Sequence, residues 1–215
     1  YGQWGRIARA LAQQGIYANS HVEMEAAIGR FLDLYEEINR EKPIKGLRWA
    51  FSHLDQVTPA QVERMKRLGM SAQIHTRPLI QGALMHRAHG GRRWTMPPMR
   101  MIQDSGIPWG LGSDATAVTT SNPFYNLWFA VTGKMIGGQH VNRQTIGREE
   151  ALIAHTRNNA YIVFQDGNLG SLQPGRYADL LVLDRDYLTV PEDQIKDIKP
   201  LMTMVGGRVV YEAKR

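Results

Sequence analysis

Apolar positions along this chain fall into two rhythms that take turns. Between Arg6 and Gln14, residues Ile7, Ala10 and Leu11 recur with the spacing of one helix face, and Gly15 stops the run. Ile16 to Ser20 follows as a short strand candidate. Met24 to Arg40 carries the clearest helical stripe, Ile28, Phe31, Leu32, Leu34 and Tyr35, with Glu36, Glu37, Arg40 and Glu41 left for solvent and Pro43 past its end. A second strand candidate, Leu47 to Phe51, stops at Ser52-His53. Thr58-Pro59-Ala60-Gln61 opens the next helix: a Thr cap, a Pro in the first turn and a Gln three residues after the cap suit the backbone amides that a helix start leaves free. Gly69 closes it. Ser71 to Ile74 is a third strand, Pro97 to Ser105 a short helix, and Trp109 to Gly112 a fourth strand ending at Ser113-Asp114. Helices from Tyr125 to Thr132 and from Gly147 into Phe164 come next, the second capped at Thr145.

Strand, loop and helix in repeated order predict an α/β fold with parallel strands and right-handed crossovers. The end of the chain changes character. Leu169 to Gly175 is rich in turn residues, Ala178 to Asp184 is a Leu/Val strand, and Met202 to Val205 with Arg208 to Tyr211 flank Gly206-Gly207 as a hairpin. The chain therefore divides into a strand-helix part, 1–165, and a small β part, 166–215.

Spacing sharpens the first part. An eightfold barrel spends about 30 residues on each strand-helix unit. His21 and His53 stand 32 positions apart, and His53 and Asp114 stand 61 apart, close to one and two such units. Each ends a predicted strand, on the face where barrel enzymes keep their chemistry. Two imidazoles and a carboxylate at the same ends of different parallel strands suit a zinc-class ion, and burying a bare carboxylate without a partner is costly. Read singly, each histidine is an ordinary surface or hydrogen-bonded core residue; the triple is what points to a metal. His75 also ends a strand, and Arg77 beside it offers a planar fork to a substrate anion, so both are candidate substrate-binding residues. Glu23 is a candidate partner for the His21 imidazole. Met85 to Gly91, with His86 and His89, reads as a lid or a solvated loop, and His155 as structural.

Composition narrows the class. The 215 residues are 43% hydrophobic and 21% charged, as in ordinary globular proteins. A formal charge of +6 is modest and its carriers are scattered, so the chain lacks the clustered basic face of a nucleic-acid binder. No run approaches the roughly 20 apolar residues of a membrane span. With no cysteine, a metal must be held by His, Asp and Glu, and a cytoplasmic location is expected. Tyr1-Gly2-Gln3-Trp4 reads like the middle of a protein rather than a signal sequence.

Ser52-His53 after an apolar strand, Gly112-Ser113-Asp114 with Asn122-Pro123 beyond, Arg157-Asn158-Asn159-Ala160, and the run from Leu169 to Asp184 resemble the C-terminal half of the metal-dependent amidohydrolases, in the amidohydrolase 3 or YtcJ-like group. The resemblance implies the second half of a (β/α)8 TIM barrel plus part of a small β-sandwich. It makes His21, His53 and Asp114 the metal-site residues after the fifth, sixth and eighth barrel strands. Asp114 becomes the catalytic carboxylate that moves a water proton to the leaving group. The implied cofactor is a divalent metal of the zinc class, one or two ions. The implied activity is hydrolysis of C–N bonds in non-peptide amides, cyclic amides or N-acyl compounds. Around the fifth-strand histidine this chain has His21-Val22-Glu23-Met24-Glu25 where many relatives have His-Ala-x-Gly-Asp.

No counterpart of the family's first-strand His-x-His occurs, and half a barrel leaves strand edges unpaired. A missing N-terminal half is therefore an expected partner, beside a small amide-type substrate and, as an option, a second copy of the chain; neither nucleic acid nor membrane is expected. The rival reading is a truncated, inactive half-barrel or assembly subunit that keeps the fold and binds no metal tightly.

Overall fold

The computed structural model describes residues 2–115 and 118–214. Its first sheet contains β1 (Asn19–Val22), β2 (Ala50–His53), β3 (Ser71–His75) and β4 (Trp109–Gly112), parallel and hydrogen-bonded in that order. Helix α1 (Gly2–Gln13) precedes β1; α2 (Glu25–Glu41) and α3 (Pro59–Leu68) make the next two crossovers. Between β3 and β4 run α4 (Pro78–His89) and α5 (Met99–Ser105), and α6 (Pro123–Thr132), α7 (Arg148–His155) and α8 (Arg157–Ile162) follow β4. The expected α/β order is present. No helix of the described residues is long and apolar enough to cross a membrane.

The helices cover the sheet with the stripe that periodicity marks out. Ile28, Leu32, Tyr35 and Ile38 of α2 are buried together with Trp49, Phe51, Ile74 and Leu111 of the sheet region. Burying each such side chain contributes about 1.5–3 kcal/mol. In β1 the alternation is strict: Ser20 and Val22 are buried, and the Ser20 hydroxyl lies 2.5 Å from the Tyr35 hydroxyl of α2, while Asn19 and His21 look the other way.

Two strands begin three residues and end two residues later than their apolar runs suggest. Ile16 and Leu47 lie outside the ladder; Arg48 is left-handed, with φ 53°, and pairing continues instead through Ser52 and His53. The reason is a polar layer on the face turned away from α2. Asn19 Nδ2 donates to Gln73 Oε1 (3.1 Å), the Ser52 hydroxyl lies within 3.1 Å of both side chains, and Gln73 Nε2 donates to the Tyr17 hydroxyl (2.7 Å). These strand ends are polar on purpose, so a search for apolar runs stops short of them.

Other expectations are corrected. The segment from Met85 to His89 is the second half of α4, with Leu79, Gly82 and Met85 buried, rather than a loop or lid. The helix expected from Gly147 into Phe164 is two helices. At Thr156 the backbone leaves helical geometry (φ −123°, ψ −85°), and the first of them is capped at Gly147, not Thr145, with Glu150 reaching back to the Gly147 amide.

The second sheet is antiparallel, β5 (Leu180–Leu183), β6 (Pro200–Val205) and β7 (Arg208–Glu212), and Gly206 and Gly207 turn its hairpin with φ 56° and 79°, values a two-residue turn of this type demands. Between β5 and β6 the chain returns to the main body. Tyr187, Val190, Ile195 and Ile198 are buried in the same core as α6, so the β part is tied to the strand-helix part by its own connection.

Candidate functional site

Each residue of the expected triple stands at or just past the C-terminal end of a parallel strand. His21 is the third residue of β1, His53 the last of β2, and Asp114 lies two residues beyond β4. The parallel register pairs Val22 with His53, and simple alternation would send both side chains to the helix side. Instead His53 is left-handed, φ 81°, and so is Leu54, φ 61°. That turn lays the His53 ring against His21, with centroids 4.0 Å apart, and against His75 of β3 at 4.3 Å. Asp114 is left-handed too, φ 56°. Such backbone costs about 1–3 kcal/mol per residue, less for Asp, and gathers at functional sites.

These strand ends border a cavity of about 670 Å³ lined by His53, His75, Asp114, Gln73, Tyr17 and Phe164, among others. Asp114 is exposed at its mouth. His21 is not a lining residue; its side chain is 70% exposed and meets the site through the His53 ring. Burial holds the His53 pKa below its ordinary value, with His21 acting in the same direction and Glu23 and Asp114 against it. Burial likewise pushes His75 down to about 3, aided by His53 and Arg77. Both rings are therefore neutral at pH 7. His53 Nδ1 is shielded from solvent and has no hydrogen-bond partner among the described residues.

Arg77, a candidate substrate-binding residue, is engaged by groups of the chain itself. Its Nη1 donates to Glu23 Oε1 at 2.8 Å and its Nη2 donates to Asp55 Oδ2, so the guanidinium is held by two carboxylates and does not line the cavity. Glu23 lies 3.4 Å from His21 Nε2, as expected of a partner for that imidazole. Burial raises the Glu23 pKa, but the Arg77 hydrogen bond and charge outweigh it and hold the carboxyl below its usual range. Sequence reading missed Asp55. Its side chain is 1% exposed, burial pushes its pKa up to about 6, and it remains ionised against Arg77 at neutral pH. Its signal is a charged residue two positions after a strand-end histidine. Two other histidines stand apart: His86 Nε2 bonds to the Val141 carbonyl at 2.9 Å, and His89 Nδ1 lies 3.4 Å from Gln56 Nε2. His155 is partly buried at the end of α7, with Nε2 unpartnered among the described residues.

Comparison with known proteins agrees with this architecture. The chain is 28% identical over 211 residues to N-substituted formamide deformylase of Arthrobacter pascens, a match covering 96% of this chain and 38% of that protein. It is 22% identical over 214 residues to the protein YtcJ of Bacillus subtilis, covering 97% and 40%. The chain thus spans about two fifths of the length of these relatives. A crystal structure of a metal-dependent hydrolase from Pyrococcus horikoshii superposes with a TM-score of 0.73 at 21% identity, over 89% of this chain and 38% of that one, and establishes a shared fold. The family profile, described as the Amidohydrolase family, matches residues 1–211, and the chain, with its parallel sheet and its separate small antiparallel sheet, belongs to that family.

Proposed function

We propose that this chain supplies the metal-holding and proton-moving side of a hydrolase for C–N bonds in non-peptide amides, cyclic amides or N-acyl amines, with His21, His53 and Asp114 around a zinc-class ion. One observation carries the reading: His53 and Asp114 border the same cavity from the C-terminal ends of β2 and β4, the two strands that flank β3, and both hold left-handed backbone that neither residue adopts without cost. The donors suit such an ion. His53 is neutral, its shielded Nδ1 lacks a partner among the described residues, the His21 ring is in contact with it, and Asp114 adds an exposed carboxylate. When bound, the ion would polarise a carbonyl and lower the pKa of a water from about 15.7 toward about 7. The chain's own part is proton handling: an Asp114 oxygen accepts a proton from the attacking water and returns it to the leaving nitrogen as the C–N bond breaks. His75, on the cavity wall, is the substrate-facing residue of β3.

The substrate class is supported by the relative named as a deformylase of N-substituted formamides, whose scissile bond is a non-peptide C–N bond. We include in the proposal that further strands complete the barrel, because among the described residues β1 and β4 each pair on one side only. A second reading, a half-barrel without tight metal binding, draws on one observation: among the described residues no three His, Asp or Glu side chains are grouped to hold an ion.

Metal analysis and amide turnover of the full-length protein separate these. The expected outcome is zinc at near-stoichiometric level, lost in His53→Ala. Asp114→Asn, tolerated in left-handed backbone, should keep the melting temperature and lower turnover of N-formyl or N-acyl amines by about 10²–10⁴-fold. Unchanged turnover in both variants removes the assignment; absence of zinc from the unaltered protein favours the second reading.

A further inference from the structure

Three successive strands end on the same short pattern, a histidine and, two positions on, a charged residue: His21-Val22-Glu23, His53-Leu54-Asp55 and His75-Thr76-Arg77. Parallel pairing brings the three patterns side by side. The histidines form one row of rings in contact, with His53 between His21 and His75. The charged residues form a second row, in which one guanidinium reaches both carboxylates.

The two rows are connected. Glu23 Oε1, which accepts from Arg77 Nη1, also lies 3.4 Å from His21 Nε2. Asp55 accepts from Arg77 through Oδ2 and turns Oδ1 toward His75 Nε2 at 3.7 Å. The backbone N–H of Arg77 donates to His75 Nδ1 at 3.1 Å. That bond makes Nδ1 an acceptor, so the neutral His75 carries its proton on Nε2, the nitrogen facing Asp55. Next to it, the Thr76 hydroxyl donates to Asn126 Oδ1 of α6 at 2.5 Å and fixes the end of β3 in the core.

We propose that Arg77 is a positioning residue: it cross-links the ends of β1, β2 and β3 and so holds the His21, His53 and His75 rings as one row. The use of that row in metal binding rests on the proposed function; the row itself does not. An arginine is required because two carboxylates are met from two different nitrogens of one rigid fork, whereas a lysine ammonium is a point charge on a flexible stem.

Arg77→Lys tests this in the full-length protein with labelled histidines. Ring-to-ring proximity and the protonated nitrogen of each imidazole are read by NMR, beside the melting temperature and the zinc dissociation constant. The expected result is a cooperatively folded variant in which His75 no longer shows a single Nε2–H form, contacts from His53 to its neighbours weaken, and zinc binds at least tenfold more weakly. An unchanged histidine pattern in a folded Arg77→Lys protein overturns the proposal. Should the lysine variant not fold, Arg77→Met with Asp55→Asn, which leaves no buried unpaired charge at position 55, is read in the same way. Failure of both to fold makes Arg77 a folding residue and also overturns it. Absence of zinc from the unaltered protein would sink the metal reading alone, since the imidazole signals still report the row.

Discussion

Gly110, in the middle of β4, is a position where one missing Cβ decides how a helix docks. A Cβ there would lie 2.1 Å from Asn159 Oδ1 and 2.7 Å from Ile162 Cδ1 of α8. The space is used: Asn159 Nδ2 donates to the carbonyls of Leu111 at 2.9 Å and His155 at 3.1 Å, tying α8 to the strand that leads to Asp114. Gly110→Ala should therefore cost about 1–3 kcal/mol, as overpacking does, and urea unfolding would measure it. A destabilisation below about 0.5 kcal/mol would mean that α8 shifts freely, contrary to the close fit. At this scale the sequence was legible in part. His53 and Asp114 stand out because each follows an apolar run. Asp55 does not, since a buried carboxylate betrays itself only through its partner, and Arg77 lies 22 positions away. The same holds for the two carboxylates that Arg77 meets, which no local pattern around Arg77 announces.

Among the elements, α3 shows what local sequence can specify. Thr58 accepts from the Gln61 amide and Gln61 Oε1 accepts from the Thr58 amide, the reciprocal cap that the motif predicts. What the motif does not reveal is that Gln61 Nε2 also donates to the Glu25 carbonyl at 2.8 Å, at the start of α2. Thr58→Ala should thus cost about 1 kcal/mol, the usual worth of an N-cap. Gln61→Ala should cost more, because it removes the cap and a bond between helices; equal costs in denaturant titrations would show the second bond to be idle. Elements with such punctuation, α3 and β4 above all, lie where the pattern put them. Those that depend on distant groups do not. The ends of β1 and β2 rest on the Asn19–Ser52–Gln73 layer, which joins residues 54 positions apart, and the break at Thr156 goes with a hydroxyl that bonds back to the Leu152 carbonyl at 2.7 Å.

For the molecule as a whole, buried imidazoles set the response to acid. His155 has an Nε2 shielded from solvent and unpartnered among the described residues, and burial holds its pKa below the ordinary 6.5. Below pH 6.5 the unfolded chain takes a proton that the folded one refuses, so stability falls as pH drops, by up to about 1.4 kcal/mol per pH unit for each such group. His53 and His75, lowered by burial, act in the same direction. Asp55 opposes them: raised to about 6 from 3.8, it binds a proton in the folded state between those values and so adds stability as pH falls through them. Three groups against one predict a melting temperature that declines from pH 7 to pH 5 in zinc-free buffer. Below about pH 4.5 the decline steepens as Glu36 and Glu150, held low by hydrogen bonds from Arg64 and Arg100, become protonated. Growing positive charge on a chain already at +6 would also weaken it in acid, but salt screens that repulsion and leaves the burial effect in place. His155→Met separates the two. It removes the unpartnered nitrogen and should flatten the decline between pH 6.5 and 5 at high salt, with a higher melting temperature at pH 5. Curves that stay parallel to those of the unaltered protein would show that His155 takes its proton equally well folded and unfolded, and that the acid response comes from the histidine row and net charge alone.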